Sequence, residues 1–211
     1  MKNSSLKILR EQLRSSPPAF HYWDEKPQTG GFSEDHFLFL ENKILAWNID
    51  KNISNPRIVE TGAGLSTLLF LSIGLNVVSF SLPDVLDRIS EFLEDKKKEI
   101  HWEPISGFGE YSVPIYFQNQ PQRHDFALID GNHAIPSVFS DFIHLAGNLN
   151  KSGLIFIDDT QLPGPGGLCR FIEKFPDRWR FVEKMNKLSC YEKLSEFGID
   201  CGNHIEIDIF R

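Results

Sequence analysis

Short apolar runs alternate with amphipathic stretches along most of the chain. The apolar runs have the length and the β-branched or aromatic content of strands: Arg57–Glu60, Asn76–Ser81, Ile100–Ile105, Phe126–Asp130 and Leu154–Asp158. The stretches between them follow a helical period: Leu65–Ile73, Pro83–Lys97, Ala134–Leu149 and Gly166–Lys174. This alternation predicts βαβ units and therefore an α/β fold with a doubly wound, mostly parallel sheet.

The carboxyl-terminal part departs from this alternation. After Phe175 the strand-like runs follow one another without a long helix between them, which predicts antiparallel strands at one edge of the sheet. These runs are Trp179–Lys184, Leu188–Leu194 and His204–Phe210.

The first 50 residues contain two amphipathic segments, Ser5–Arg14 and Ser33–Asn48, joined by an aromatic connection bounded by prolines. We expect them to form an N-terminal helical lid over the carboxyl edge of the sheet, where ligands bind in open α/β folds. The aromatic residues His21, Tyr22 and Trp23 would then either touch substrate or only anchor the helices. Residues 1–50 are thus an extension of a domain over residues 51–211, within one compact unit.

Composition narrows the class of protein. The chain has 211 residues, 41% of them hydrophobic, which is enough for the core of one domain, and its net charge of −7 disfavours a nucleic-acid partner. The amino terminus lacks the apolar core of a secretory signal, and Leu68–Leu82 is too polar and too short to span a membrane. The odd, unpaired cysteines Cys169, Cys190 and Cys201 fit reduced thiols in a cytoplasmic protein. The sequence leaves open whether the protein forms a homo-oligomer.

A glycine turn follows the first strand of the alternation, in the stretch Glu60-Thr-Gly-Ala-Gly-Leu-Ser66. Glycines here expose backbone N–H groups to a ligand at the start of a helix. A P-loop would need a lysine after Gly64, and a dinucleotide fingerprint would need a third glycine where Thr67 stands. Glu60 before the turn suits an ammonium or sulfonium group, which points to S-adenosylmethionine (SAM).

Two further motifs carry aspartates at the ends of apolar runs, Phe126-Ala-Leu-Ile-Asp-Gly-Asn-His133 and Gly153-Leu-Ile-Phe-Ile-Asp-Asp-Thr160. Together with the glycine turn, and in this order, they resemble the motifs of class I SAM-dependent methyltransferases over roughly residues 32–171. The likeness is strongest to small-molecule O-methyltransferases with an Asp-Gly-x-His motif and a later acidic pair. The resemblance implies a Rossmann-like fold and methyl transfer from SAM to a small hydroxylated acceptor, with Glu60, Gly62, Gly64 and Ser66 on the cofactor.

The carboxylates of Asp130, Asp158 and Asp159 end neighbouring predicted strands, so they should converge at one edge of the sheet. Three converging carboxylates repel one another unless a cation or a proton intervenes, which favours Mg²⁺ or another hard divalent cation. The resembling enzymes also place metal ligands at these positions. The alternative is that the aspartates only cap the loop and helix that follow them.

His133 stands three residues after Asp130, close to the same edge. A neutral imidazole can take the proton of an acceptor hydroxyl, and the resemblance gives the matching histidine this role of general base, with Asp130 beside it. The alternative is a histidine that packs at the start of a helix. Asn132 stands where related enzymes often have an aspartate.

The second strand lacks the terminal acid with which many class I methyltransferases hold the ribose of SAM. Ser81 and Asp84 either share that role or leave the cofactor weakly held, and Asp84 is also a candidate helix N-cap. After the third strand, Phe108 could stack on the adenine while Glu110 accepts a hydrogen bond from its amino group. The rival hypotheses are a metal-independent methyltransferase, an NAD-type oxidoreductase and a non-catalytic cofactor-binding protein.

Overall fold

A computed structural model of the chain describes residues 3–196, which form nine β-strands and seven α-helices. The strands are β1 (His21–Trp23), β2 (Lys26–Gln28), β3 (Arg57–Thr61), β4 (Asn76–Ser81), β5 (His101–Ser106), β6 (His124–Ile129), β7 (Leu149–Ile157), β8 (Trp179–Met185) and β9 (Leu188–Lys193). The helices are α1 (Asn3–Ser15), α2 (Glu34–Lys51), α3 (Leu65–Ser72), α4 (Pro83–Phe92), α5 (Gly109–Asn119), α6 (Ile135–Asn148) and α7 (Pro163–Ile172).

Seven strands form one sheet in the order β5-β4-β3-β6-β7-β9-β8. The strands β3 to β7 are parallel, whereas β9 runs antiparallel to both β7 and β8. This confirms the predicted Rossmann-like α/β fold with antiparallel strands at its carboxyl-terminal edge; the predicted strand His204–Phe210 lies outside the described residues. The strand order reverses between β3 and β6, and ligands of open α/β sheets bind at the carboxyl ends of the strands at such a point.

The core consists of one apolar cluster on each face of the sheet. Neighbouring residues of β3 separate onto the two faces, because Ile58 belongs to one cluster and Val59 to the other. Helix α1 packs against α3, and its Leu9 is buried in the same cluster as Ile58. The N-terminal helices therefore lie on a face of the sheet and share its core. Their action as a lid and the division at residue 50 stay predictions.

Two elements of the structure were not anticipated from the sequence pattern. The connection between α1 and α2 contains the hairpin β1–β2, whose turn residues Asp24 and Glu25 have φ angles of 50° and 62°. Asparagine, aspartate or glycine usually occupies the first of these positions and glycine the second, where Glu25 stands here. Helix α5 contains Pro114 in its interior, a residue that argues against a helix.

The predicted boundaries differ most from the observed ones at two places. The predicted helix Pro83–Lys97 ends at Phe92 and continues as a short 3₁₀ turn, and β7 begins at Leu149, five residues before the predicted start. Within residues 3–196, no helix is both long and apolar enough to cross a lipid bilayer.

Candidate active site

The turn between β3 and α3 is pressed against the end of β6. Gly62 has a φ of +87°, and a Cβ at this position would lie 2.0 Å from the carbonyl oxygen of Asp130. A Cβ at Gly64 would meet a different group, the Nε2 atom of His21 at 3.1 Å. Gly62 is thus required by the fold itself, whereas Gly64 keeps open the space between the turn and the N-terminal hairpin.

Glu60 is fully buried behind this turn. Its carboxylate accepts hydrogen bonds from the hydroxyls of Ser66 at 2.8 Å, Ser79 at 2.7 Å, and Thr67. Thr67 Oγ1 in turn accepts the backbone N–H of Gly64 at 3.0 Å. Burial raises the pKa of Glu60 to about 7, although the three hydroxyl donors oppose the shift. The structure therefore places Glu60 as the internal support of the glycine turn.

A cavity of about 210 Å³ opens at the carboxyl ends of β3 and β6. Its wall combines the glycine turn, the loop after β6, the loop after β7 and the N-terminal connection. Six of the predicted site residues line it together: Gly62, Gly64, Ser66, Asp130, His133 and Asp159. The N-terminal connection contributes His21, Thr29, Gly30 and Phe32 to the same wall.

His133 lies between two carboxylates in this cavity. Its Nε2 atom is 3.8 Å from Asp130 Oδ1 and 3.3 Å from Asp159 Oδ2. Interaction with the carboxylate of Asp130, and then with that of Asp159, raises the pKa of His133. Burial, together with the neighbouring Asp158, raises the pKa of Asp130 above its usual range. The group is therefore an imidazole of increased basicity, held at the edge of the cavity by acidic neighbours.

The acidic pair at the end of β7 already has a cation from the chain. The Nζ atom of Lys187 lies 3.1 Å from Asp158 Oδ2 and 2.9 Å from Asp159 Oδ1. The residues whose ligand atoms group within 4.8 Å of one another are Asp130, His133 and Asp159. A divalent ion bound between Asp158 and Asp159 would have to occupy the position of the Lys187 ammonium. The predicted metal set Asp130, Asp158 and Asp159 thus does not fit a metal while Lys187 is in place.

Three other predicted cofactor residues lie outside the wall of the cavity. Ser81 is partly exposed at the end of β4, and Asp84 is exposed in the first turn of α4 rather than at its N-cap. Asp84 pairs with Arg88 at 2.8 Å, a hydrogen bond that lowers the pKa of Asp84. Glu110 lies in the first turn of α5, partly buried. The contacts of Ser81, Asp84 and Glu110 with a cofactor stay predictions.

Sequence reasoning missed two charged residues near the site. Asp141 of α6 is buried beside Gly109, where a Cβ would lie 2.6 Å from Asp141 Oδ1, and burial raises the pKa of Asp141 to about 7. The sequence did indicate that Asp141 is buried, because Asp141 shares the helical spacing of the buried residues Val138 and Leu145. Lys187 had no such signal, since it lies in a turn 28 residues after Asp159 along the chain.

The motifs that form this site coincide with a known domain. A family model described as a methyltransferase domain matches residues 59–160, which include the glycine turn, Asp130, His133 and the acidic pair. This segment belongs to the methyltransferase domain family. The predicted resemblance to class I SAM-dependent methyltransferases is thereby confirmed, and with it the prediction of a methyltransferase rather than an oxidoreductase.

Solved structures of methyltransferases share the fold of most of the chain. The O-methyltransferase NovP is 13% identical with a TM-score of 0.66, over 92% of this chain and 100% of NovP. An O-methyltransferase from Bacillus cereus in complex with S-adenosylhomocysteine (SAH) is 16% identical with a TM-score of 0.61, over 92% of each chain. MycE from the mycinamycin pathway, in complex with Mg, SAH and mycinamycin VI, is 17% identical with a TM-score of 0.55 over 79% of this chain.

These likenesses have limits that bear on function. This chain spans about half of MycE, 51% of its length. An rRNA methylase from Streptococcus thermophilus has the same fold, at 16% identity and a TM-score of 0.54 over 75% of this chain, so the fold does not select the class of acceptor. No curated protein sequence matches the chain.

Proposed function

We propose that the protein is a SAM-dependent O-methyltransferase that acts on a small hydroxylated molecule. The observation that carries the proposal is the shared cavity, in which a glycine turn suited to SAM and a basic histidine face the same space. Two of the similar structures contain SAH, and the names of two are those of O-methyltransferases.

The cofactor would lie along the carboxyl ends of β3, β4 and β5. The turn at Gly62, Gly64 and Ser66 would hold the methionine part, supported from behind by Glu60. Ser81 and Asp84 follow β4, where the ribose would lie, and Phe108 and Glu110 follow β5, where the adenine would lie. Helix α5 would thus present Glu110 at its first turn rather than on a flexible loop.

His133 is the proposed base. As the acceptor oxygen forms its bond to the sulfonium methyl group, the C–S bond would break, SAH would leave, and the hydroxyl proton would pass to the imidazole of His133. The carboxylates of Asp130 and Asp159 then stabilise the imidazolium, since both already lie within 4 Å of Nε2. Holding acceptor and methyl group in line supplies the rest of the acceleration, because orientation replaces a bimolecular encounter.

A small acceptor is favoured over a nucleic acid by charge. The net charge is −7, and among the described residues the titratable groups of the cavity wall are two carboxylates and two histidines, without lysine or arginine to contact phosphate. A neutral or cationic hydroxylated molecule meets no such repulsion. Assistance by a divalent cation is the alternative form of the mechanism, and MycE was crystallised with Mg. An ion held between Asp158 and Asp159 would require Lys187 to leave the acidic pair.

Isothermal titration calorimetry with SAH tests the cofactor part of the proposal. The wild-type protein should bind one SAH, and Gly64→Ala should weaken binding at least tenfold because the added methyl group narrows the cavity beside His21. Gly147→Ala is the matched control, since a Cβ at Gly147 has no neighbour within 4 Å. Absence of SAH binding, or binding of NAD in its place, would refute the proposal.

The acceptor class needs a separate measurement. Transfer of a radiolabelled methyl group from SAM should occur to members of a panel of hydroxylated small molecules and should be absent with ribosomal RNA. If the RNA becomes labelled and no member of the panel does, the protein methylates nucleic acid instead.

A further inference from the structure

Lys187 is held in place by the loop that carries the acidic pair. It lies in the two-residue turn between β8 and β9, where Met185 pairs with Leu188. The backbone carbonyl of Lys187 accepts two hydrogen bonds from Thr160, one from its N–H at 2.9 Å and one from its hydroxyl at 2.8 Å. Since Thr160 directly follows Asp159, the turn and the acidic loop are joined at the base of the lysine side chain.

The ammonium of Lys187 ends between two carboxylates, and the side chain is partly buried. It contacts Asp158 and Asp159 at 3.1 and 2.9 Å, while the side chains of Lys187 and Asp158 are 20% and 1% exposed. Gly31 lies near the ammonium, because a Cβ on Gly31 would be 3.6 Å from Nζ. A buried carboxylate requires a partner, and this lysine is the cation that the fold supplies.

A metal ion and this ammonium exclude each other. Mg²⁺ binds carboxylate oxygens at about 2.0–2.1 Å, so an ion shared by Asp158 and Asp159 would lie in the space that Nζ fills. Two cations held by the same pair of carboxylates would also repel one another. An ion between Asp158 and Asp159 would therefore require the lysine to leave, and Thr160 anchors the backbone of Lys187 in place.

We propose that Lys187 is the resident cation of the acidic site and takes the position that a divalent ion would occupy between Asp158 and Asp159. Its contact with Asp159 also fixes the carboxylate whose other oxygen faces His133. Lys187 is thus a positioning residue for the proposed base. The inference goes beyond the proposed methyl transfer, and binding of a metal ion tests it without any assay of turnover.

The test is titration with Mn²⁺, followed by the electron paramagnetic resonance signal of the free ion. Four proteins are compared: wild type, Lys187→Met, Lys187→Met combined with Asp158→Asn, and Lys184→Met as control. Lys184 is exposed on β8, three residues before Lys187. Wild type and control should bind Mn²⁺ only at millimolar concentration, and Lys187→Met should bind one ion at least tenfold more tightly. The double variant should lose that gain.

Two results would overturn the proposal. The first is a wild-type site that binds one Mn²⁺ at micromolar concentration and loses it in Asp158→Asn. The second is a Lys187→Met protein with native circular dichroism that binds Mn²⁺ no better than wild type. The wild-type titration decides the question even if Lys187→Met fails to fold. Calorimetry with SAH on the same samples reports the proposed function separately, so the failure of one does not imply failure of the other.

Discussion

Asp159 holds one carboxylate oxygen 3.3 Å from Nε2 of His133, and it does so from a left-handed backbone conformation with a φ of 51°. A non-glycine residue in this region costs free energy, and such residues are common where a side chain must be aimed at a functional site. Aspartate and asparagine tolerate the conformation better than most residues. The contact thus links the end of β7 with the loop after β6 across the cavity.

Replacement of His133 by asparagine should reduce methyl transfer by a factor of about 10² to 10⁴, the range for loss of a general base. The affinity for SAH should stay within threefold of wild type, because the replacement leaves the glycine turn unchanged. Turnover with saturating SAM and calorimetry with SAH measure the two effects. A parallel loss of turnover and SAH affinity would show that His133 supports the site rather than takes the proton.

His101→Asn provides the control for this substitution. His101 is exposed at the start of β5, at the end of the sheet opposite the cavity. Its loss should change neither turnover nor SAH binding.

The pH dependence of methyl transfer should depend on the acidic neighbours of His133. The base acts without its proton, so kcat/KM should rise with pH through the pKa of His133, which Asp130 and then Asp159 raise above 6.5. Asp159→Asn removes one negative charge beside Nε2, so the rise should move to lower pH. The substitution keeps the left-handed backbone accessible. An unchanged pH profile in Asp159→Asn would show that the carboxylate of Asp159 does not raise the pKa of His133.

Sequence could predict the features of the site that depend on local pattern and on topology. The glycine turn is a continuous motif, and Asp130 and Asp159 end parallel strands, so the rule for carboxyl ends placed them at one edge. The structure adds the consequence that both carboxylates face His133. Glu60 shows the limit of this reasoning, because the sequence placed it near the ligand but did not show which way its side chain points.

The features that sequence could not predict depend on contacts between distant segments. Lys187 reaches Asp158 only because an antiparallel hairpin pairs with β7 and turns back at the carboxyl edge of the sheet. The hairpin β1–β2 was not predicted because its turn has no glycine. Its position beside the cavity follows from packing of the N-terminal helices. In both cases the information is distributed over many weak contacts rather than one motif.

Glu60→Gln should remove a pH-dependent part of the stability. Glu60 has a pKa of about 7 in the native protein, whereas an ordinary glutamate has a pKa of 4.5. Between these values the native state binds more protons than the unfolded state, so the free energy of unfolding falls as pH rises. The loss amounts to on the order of 2–3 kcal/mol by pH 8.

Urea unfolding at pH 5 and pH 8 measures this effect. The wild type should lose more stability than Glu60→Gln over this interval, and the exposed Glu91→Gln should follow the wild type. Equal pH dependence in wild type and Glu60→Gln would mean that the carboxylate is solvated in the native protein.

Gly62→Ala should destabilise the protein whether or not a cofactor is present. A Cβ at Gly62 would lie 2.0 Å from the backbone carbonyl oxygen of Asp130, and the φ of +87° is itself unfavourable for alanine. Because backbone rather than a flexible side chain is in the way, the ends of β3 and β6 must separate. The expected cost in the free energy of unfolding is about 2 kcal/mol or more, since steric displacement adds to strain of about 1–3 kcal/mol.

Urea unfolding of the SAH-free protein should show this loss for Gly62→Ala and a much smaller one for Gly64→Ala, whose Cβ meets only the end of the His21 side chain. Equal stabilities of the two variants would contradict the close approach of the glycine turn to the end of β6.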